Sequence, residues 1–204
     1  MNPFQTSTPN EIRVAIRQRR NLLTTEEQEQ ASQNLLTQLS SLSVVKQATH
    51  IALYLSNDGE LDTTDMIHWC WQQGIKTYLP VIHPFSKGHL LFLRYHQNTV
   101  MKANCYGILE PKLNVLDIIP VQKLDIILTP LVAFDHLGNR MGMGGGFYDR
   151  TLANWYQQYQ QNNQAKPLPI GIAHDCQKVD YIPTQAWDIP LPQIITPSQR
   201  FRFS

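Results

Sequence analysis

The sequence predicts an α/β fold: one domain over residues 1–204, built as a three-layer, open, mainly parallel sheet with helices on both faces. Three observations predict it. Leu124 to Phe134 and His50 to Ser56 are almost wholly apolar rather than alternating, the pattern of strands covered on both sides. Amphipathic helical stretches separate the apolar runs, so strands and helices succeed one another as in βα units. A chain of 204 residues, 42% of them hydrophobic, is long enough for one sizeable core.

Taken in order, Thr8-Pro9-Asn10-Glu11 is a capping box with proline at the first helical position, opening a helix to about Arg20. Its cations Arg17, Arg19 and Arg20 fit a solvated face or a binding role equally well. Thr24-Thr25-Glu26-Glu27 opens a second helix to about Leu42, with Leu35, Leu36 and Leu39 as its core stripe. The apolar strand 50–56 follows. Asn57-Asp58-Gly59-Glu60 lies at its carboxyl end, where open sheets collect ligands. Asp65 to Gln73 is a helix stopped by Gly74, and Lys76 to Val81 and Leu90 to Tyr95 are strands separated by a loop at His83 to Gly88. In the less regular stretch that follows, Tyr106 reads as a core aromatic or as a stacking ring, and Glu110-Pro111 as a turn. Leu124 to Phe134 is expected at the centre of the sheet. After a glycine-rich loop a helix begins near Gly146, and its Gln- and Asn-rich end, 155–166, reads as a frayed terminus and exposed loop. Pro169 to Ala173 and Gln193 to Thr196 are expected as the last strands.

Composition excludes several roles. Seventeen basic against 16 acidic residues give a net charge of +1, so there is no global field for nucleic acid or an anionic membrane. The polar start MNPFQTSTPN and the lack of any run of 18 apolar residues argue against export and membrane insertion. Cys70, Cys105 and Cys176 are far apart and suit a reducing cytoplasm. His83, His89 and His96 do not have zinc spacing.

The chemistry concentrates at 138–146, where five of the ten glycines fall within nine positions. A glycine loop lets backbone approach a ligand closely, and the free amides at the start of the following helix form an anion site. The loop is not a P-loop, since no Lys-Ser or Lys-Thr follows any of its glycines. Nor is it a dinucleotide fingerprint: about eight residues separate strand from glycines, and Asp175 lies too far on for the ribose role.

The string PLVAFDHLGNRMGMGGGFYDR, 130–150, resembles the signature of the 5-formyltetrahydrofolate cyclo-ligases, ATP-dependent enzymes also called methenyltetrahydrofolate synthetases. LSNDGELDT at 55–63, YLPV at 78–81, YGILEP at 106–111 and AWDIPLPQIITP at 186–197 resemble the family as well, so the likeness spans almost the whole chain. It implies two partners, 5-formyltetrahydrofolate and ATP, with Mg²⁺ as cofactor; a cytoplasmic monomer is the accompanying expectation. By the same resemblance ATP is held by Arg13, by Arg140, Met141, Gly142, Met143 and Gly144, and by Gly145, Gly146, Phe147 and Tyr148. Arg140 and Tyr148 are also the expected catalytic groups. Leu55, Glu60, Tyr106 and Phe147 would hold the folate, with Glu60 accepting hydrogen bonds from the pterin. Asp149 and Asp188 would ligate the metal. The family's N-terminal Lys position is Pro9 here. A binding module that kept the fold but lost catalysis is the rival reading. Charge alone offers Lys87, Arg94 and Lys102 for tail carboxylates.

Overall fold

The computed structural model describes residues 7–162 and 165–203. The polar start at 1–6 and positions 163–164 of the expected exposed loop lie outside the described residues. Helix α1, Pro9–Asn21, opens on the expected box: Thr8 Oγ1 accepts from Glu11 N at 3.3 Å while Glu11 Oε2 accepts from Thr8 N at 2.7 Å. Thr24 and Glu27 repeat the device at the start of α2, Thr25–Ser41. A short α3, Ser43–Lys46, leads to β1, His50–Ala52, and then come α4, Thr64–Gln72, and β2, Lys76–Ile82. The remaining strands are β3 (Leu90–Tyr95), β4 (Met101–Ala103), β5 (Leu109–Pro111), β6 (Ile118–Ile119), β7 (Ile126–Pro130), β8 (Ala133–Phe134) and β9 (Arg140–Met141). Helix α5, Phe147–Gln161, precedes β10 (Leu168–Ile172), β11 (Gln193–Ile195) and β12 (Arg200–Arg202).

The main sheet has the order β12-β11-β10-β7-β1-β2-β3-β6. Its middle five strands, β11 to β2, pair in parallel, and β12, β3 and β6 add antiparallel margins. The expected α/β class is therefore present, with β7 central. Alternation along β7 makes three layers: Ile126 and Leu128 pack with the faces of α2 and α4, whereas Ile127 packs with Leu152 and Trp155 of α5. Helix α1 joins a separate cluster in which Ile12 and Ile16 meet Val132, Ala133 and Met141.

Two expected strands prove shorter. The run Leu124–Phe134 is not one strand: Pro130 has no N–H to continue the ladder with β10, and Leu131-Val132 carry the chain into a separate hairpin of β8 and β9. Likewise β1 ends at Ala52. The Tyr54 carbonyl is taken by the Thr63 hydroxyl instead of by a neighbouring strand, so the chain turns away towards Glu60. Both departures place loops at the carboxyl ends of β1 and β7, where a ligand can sit.

Candidate active site

Arg140 reaches the site on the β8–β9 hairpin, and Asp135 sets that hairpin's shape. This carboxylate is 1% exposed. Its Oδ1 accepts from Leu137 N and Asn139 N at 2.9 and 3.1 Å, and its Oδ2 from Asn139 Nδ2 at 2.9 Å. Within the two-residue strand β9 successive side chains point to opposite sides. Arg140 faces the cavity, and Met141 turns into the core against Ile12 and Ile16. Met141 can therefore offer a ligand only its backbone.

The glycine loop follows. Gly146, at φ 62°, occupies the N-cap of α5 without a side-chain cap, so the first amides of the helix are left open towards the loop. Arg13 Nε holds the Gly142 carbonyl at 2.8 Å, and Arg150 donates to the carbonyls of Gly88, at 3.0 Å, and Gly145. Not every glycine is needed for the fold. A Cβ on Gly145 would lie 2.6 Å from the Phe147 ring, whereas one on Gly142 would meet nothing within 4 Å. Gly142, whose backbone is in an ordinary region, is therefore not required by contacts within the protein.

A cavity of about 540 Å³ opens beside this loop. Leu55, Glu60 and Tyr106 line one part of it. Gly142, Met143, Gly145 and Gly146 line another, with Arg140, Phe147, Tyr148 and Asp149 adjoining them. Four expected residues do not line it: Arg13, Met141, Gly144 and Asp188. Arg13 and Gly144 lie behind the loop, where Gly144 faces the Arg13 guanidinium. Of the tail candidates, Lys102 lies 3.5 Å from Glu110, and Arg94 stacks over Tyr78 at the end of β3 remote from cavity-lining Leu90.

Electrostatics distinguish the two parts. Burial pushes Glu60 up to about 7, against the opposing pull of Arg20 and the Asn57 amide, which donates to Glu60 Oε2 at 3.2 Å. Burial also raises the Tyr148 phenol well above its ordinary value, so Tyr148 is a donor rather than a base. Its hydroxyl and Arg140 Nε are buried donors without a hydrogen-bond partner. Burial lowers the Arg140 guanidinium, and Asp149 opposes that shift through a 2.7 Å contact between Oδ1 and the Arg140 terminal NH₂. Asp149 Oδ1 also accepts from Ile189 N at 3.3 Å, which ties the loop bearing Asp188 to the start of α5. Asp149 in direct contact and Asp188 at longer range, from separate elements, both favour the charged form of this buried cation. Hard oxygen donors of this kind fit Mg²⁺, which keeps water and phosphate oxygens for its remaining positions.

Three residues at the cavity were not singled out from sequence. Arg20, which fitted a solvated face or a binding role equally well, is 1% exposed and lines the cavity, with its NH₂ group 2.8 Å from Asp58 Oδ2. It continues the stripe Ile12, Ile16, Arg20 at four-residue spacing, and that spacing was the available signal. Glu110 does not set a turn. It sits in β5, 4% exposed, and its Oε2 accepts from Ile82 N at 3.2 Å and Asn104 Nδ2 at 3.3 Å. Asn104 Oδ1 in turn accepts from Tyr106 N and Ile108 N at 2.9 and 3.1 Å. The β4–β5 hairpin is thus pinned to β2 through one carboxylate. Tyr106, 64% exposed, meets the Phe147 ring edge-on at 6.3 Å across the mouth.

Known proteins resemble this chain over most of its length. The 5-formyltetrahydrofolate cyclo-ligase of Escherichia coli is 51% identical over 184 residues, covering 90% of this chain and 97% of that one. The cyclo-ligase of Haemophilus influenzae is 50% identical over 192 residues, covering 94% and 99%. The solution structure of 5,10-methenyltetrahydrofolate synthetase from Aquifex aeolicus superposes with a TM-score of 0.78 at 28% identity, over 95% of this chain and 92% of that one. The model of the 5-formyltetrahydrofolate cyclo-ligase family matches residues 5–197, and this chain belongs to that family of enzymes.

Proposed function

We propose that this chain uses ATP to close 5-formyltetrahydrofolate into 5,10-methenyltetrahydrofolate, releasing ADP and phosphate. The observation that carries the reading is a single cavity with a carboxylate at Glu60, a glycine loop at the head of α5, and two unpartnered buried donors, Arg140 Nε and Tyr148 OH. A buried donor without a partner costs about 1–3 kcal/mol, so these two groups suit a ligand that supplies acceptors. Phosphate and formyl oxygens are such acceptors.

The formyl carbon is a poor electrophile because N5 donates into it. In the proposed reaction the formyl oxygen attacks the γ-phosphorus and ADP departs, which leaves an iminium-type phosphate. N10 then attacks that carbon, the carbon–oxygen bond breaks with release of phosphate, and N10 loses its proton. The chain supplies positioning and charge. Glu60 accepts hydrogen bonds from the pterin, Leu55, Phe147 and Tyr106 enclose the ring, and the loop amides with Arg140 hold the phosphates. Tyr148, held protonated, donates to the transferring oxygen. Arg13 acts from behind the loop by fixing the Gly142 carbonyl. Asp149 and Asp188 would hold Mg²⁺, which supplies charge neutralisation on the phosphates. The same reading takes 1–204 as one domain, acting as a cytoplasmic monomer. Among the described residues no helix is long and apolar enough to cross a membrane.

The test is to mix protein, 5-formyltetrahydrofolate and Mg-ATP and follow the near-ultraviolet absorbance of the methenyl product, omitting ATP as the control. The expected result is an ATP-dependent rise that disappears in Asp149→Ala. Folate binding with no rise would favour the non-catalytic module and make Pro9→Lys the next variant.

A further inference from the structure

Arg20 holds a position that its ion pair alone does not account for. Its terminal NH₂ group is 2.8 Å from Asp58 Oδ2, yet Nε and NH1 have no hydrogen-bond partner although the residue is 1% exposed. Asp58 is held a second time by Arg17 Nε at 2.6 Å, so the anion does not depend on Arg20. The side chain is rigidly placed, because it extends the buried stripe of Ile12 and Ile16 on α1. It lines the same cavity as Glu60. Among the groups that favour the charged form of Glu60, Arg20 ranks first. A cation and a carboxylate therefore share the wall of one cavity, and the cation has two unpartnered nitrogens to spare.

A pterin offers a matching edge. Its amino group and ring N–H are adjacent donors, and a carboxylate can accept from both at once. The next group along that edge is the ring carbonyl at position 4, an acceptor that Glu60 cannot satisfy. We propose that Arg20 is a substrate-reading residue, donating through one of its two unpartnered nitrogens, Nε or Nη1, to that carbonyl while Glu60 accepts from the donors beside it. The assignment rests on the reading that the folate's pterin lies against Glu60. Guanidinium and carboxylate together would select a 4-oxo ring over a ring bearing an amino group there, since the amine presents N–H to N–H and leaves the buried donors unsatisfied.

The test compares two compounds in wild type, Arg20→Gln and Arg20→Lys: 5-formyltetrahydrofolate, and its analogue with an amino group in place of the 4-carbonyl, measured as a competitive inhibitor. Wild-type turnover of 5-formyltetrahydrofolate is measured alongside. Its absence would count against the functional reading, and the two compounds would then be compared by direct binding, which tests Arg20 independently. In the wild type the 4-oxo compound should bind at least about tenfold more tightly. In Arg20→Gln that preference should fall about tenfold or more with the KM for ATP unchanged, and Arg20→Lys should lie between. A merely structural arginine would weaken both compounds alike and leave the ratio as it was. An unchanged ratio in a cooperatively melting Arg20→Gln overturns the proposal, as does a wild type that does not discriminate. If Arg20→Gln does not fold, Arg20→Lys decides, and an unchanged ratio there overturns it equally.

Discussion

Glu60 gives the sharpest test of the folate part of the site. Burial carries its carboxyl from an ordinary value of 4.5 to about 7, so the free enzyme changes its ability to accept hydrogen bonds within an accessible pH range. With a midpoint of about 7, roughly nine-tenths of the carboxyls are ionised at pH 8 and roughly one-tenth at pH 6. The kcat/KM for 5-formyltetrahydrofolate should therefore fall about tenfold between those values, because this parameter reports groups of the free enzyme. Glu60→Gln should flatten that profile and lower its plateau by about 10- to 100-fold, the value of one hydrogen bond to a charged group. Stability should move the other way. An acid raised on folding favours the native state fully below the unfolded value near 4.5, and the benefit is lost as pH rises through 7. Above that, the buried charge costs at most about 3 kcal/mol. Glu60→Gln should thus melt several degrees higher at pH 8, with the difference closing towards pH 4.5. Steady-state kinetics and thermal melts across pH measure both. A wild-type profile without inflection between pH 6 and 8, or a glutamine variant with an unaltered folate KM, would refute the argument.

Two further outcomes follow from the hydrogen bonds around the site and the sheet. Glu110→Ala should raise the folate KM while leaving the KM for ATP near wild type, because it frees the hairpin carrying Tyr106; Glu110→Gln should restore it, since one amide oxygen can accept from both Ile82 N and Asn104 Nδ2. Asp125 is pulled down to about 2 despite burial, by Lys166, by the amides of Thr49 and His50, and by the Thr49 hydroxyl. Asp125→Asn should cost about 2 kcal/mol at pH 7 in denaturant titrations, and the gap should vanish as pH falls from about 4 to 2.

The central parallel strands were legible because they are covered on both faces, which leaves an unbroken apolar run in β7 and its neighbours. Their ends were not, because termination depended on the missing N–H of Pro130 and on the Thr63 hydroxyl capturing the Tyr54 carbonyl, neither of which alters hydrophobic pattern. The short strands β4 and β5 have three residues each, too few for a period to show. The same contrast holds in the site. Composition alone marks the glycine loop, whereas Arg20 fits a solvated face as well as a binding role and Glu110 reads as a turn until tertiary packing buries both. Met141 shows the limit of a contiguous motif: next to Arg140 in a strand, it necessarily points the other way.

The small cluster of Ile12, Ile16, Val132 and Met141 links the attachment of the N-terminal helix to the state of the glycine loop. Arg13 bonds to Gly142, Met141 packs beneath Ile12, and Arg140 is the next residue along the strand. Detaching α1 would uncover Met141, release the Gly142 carbonyl and withdraw Arg20 from the cavity wall in one event. Helix and loop are therefore expected to open as one cooperative unit. Nucleotide or folate bound in the cavity would then be felt as slower amide exchange along a helix that barely touches the reacting atoms.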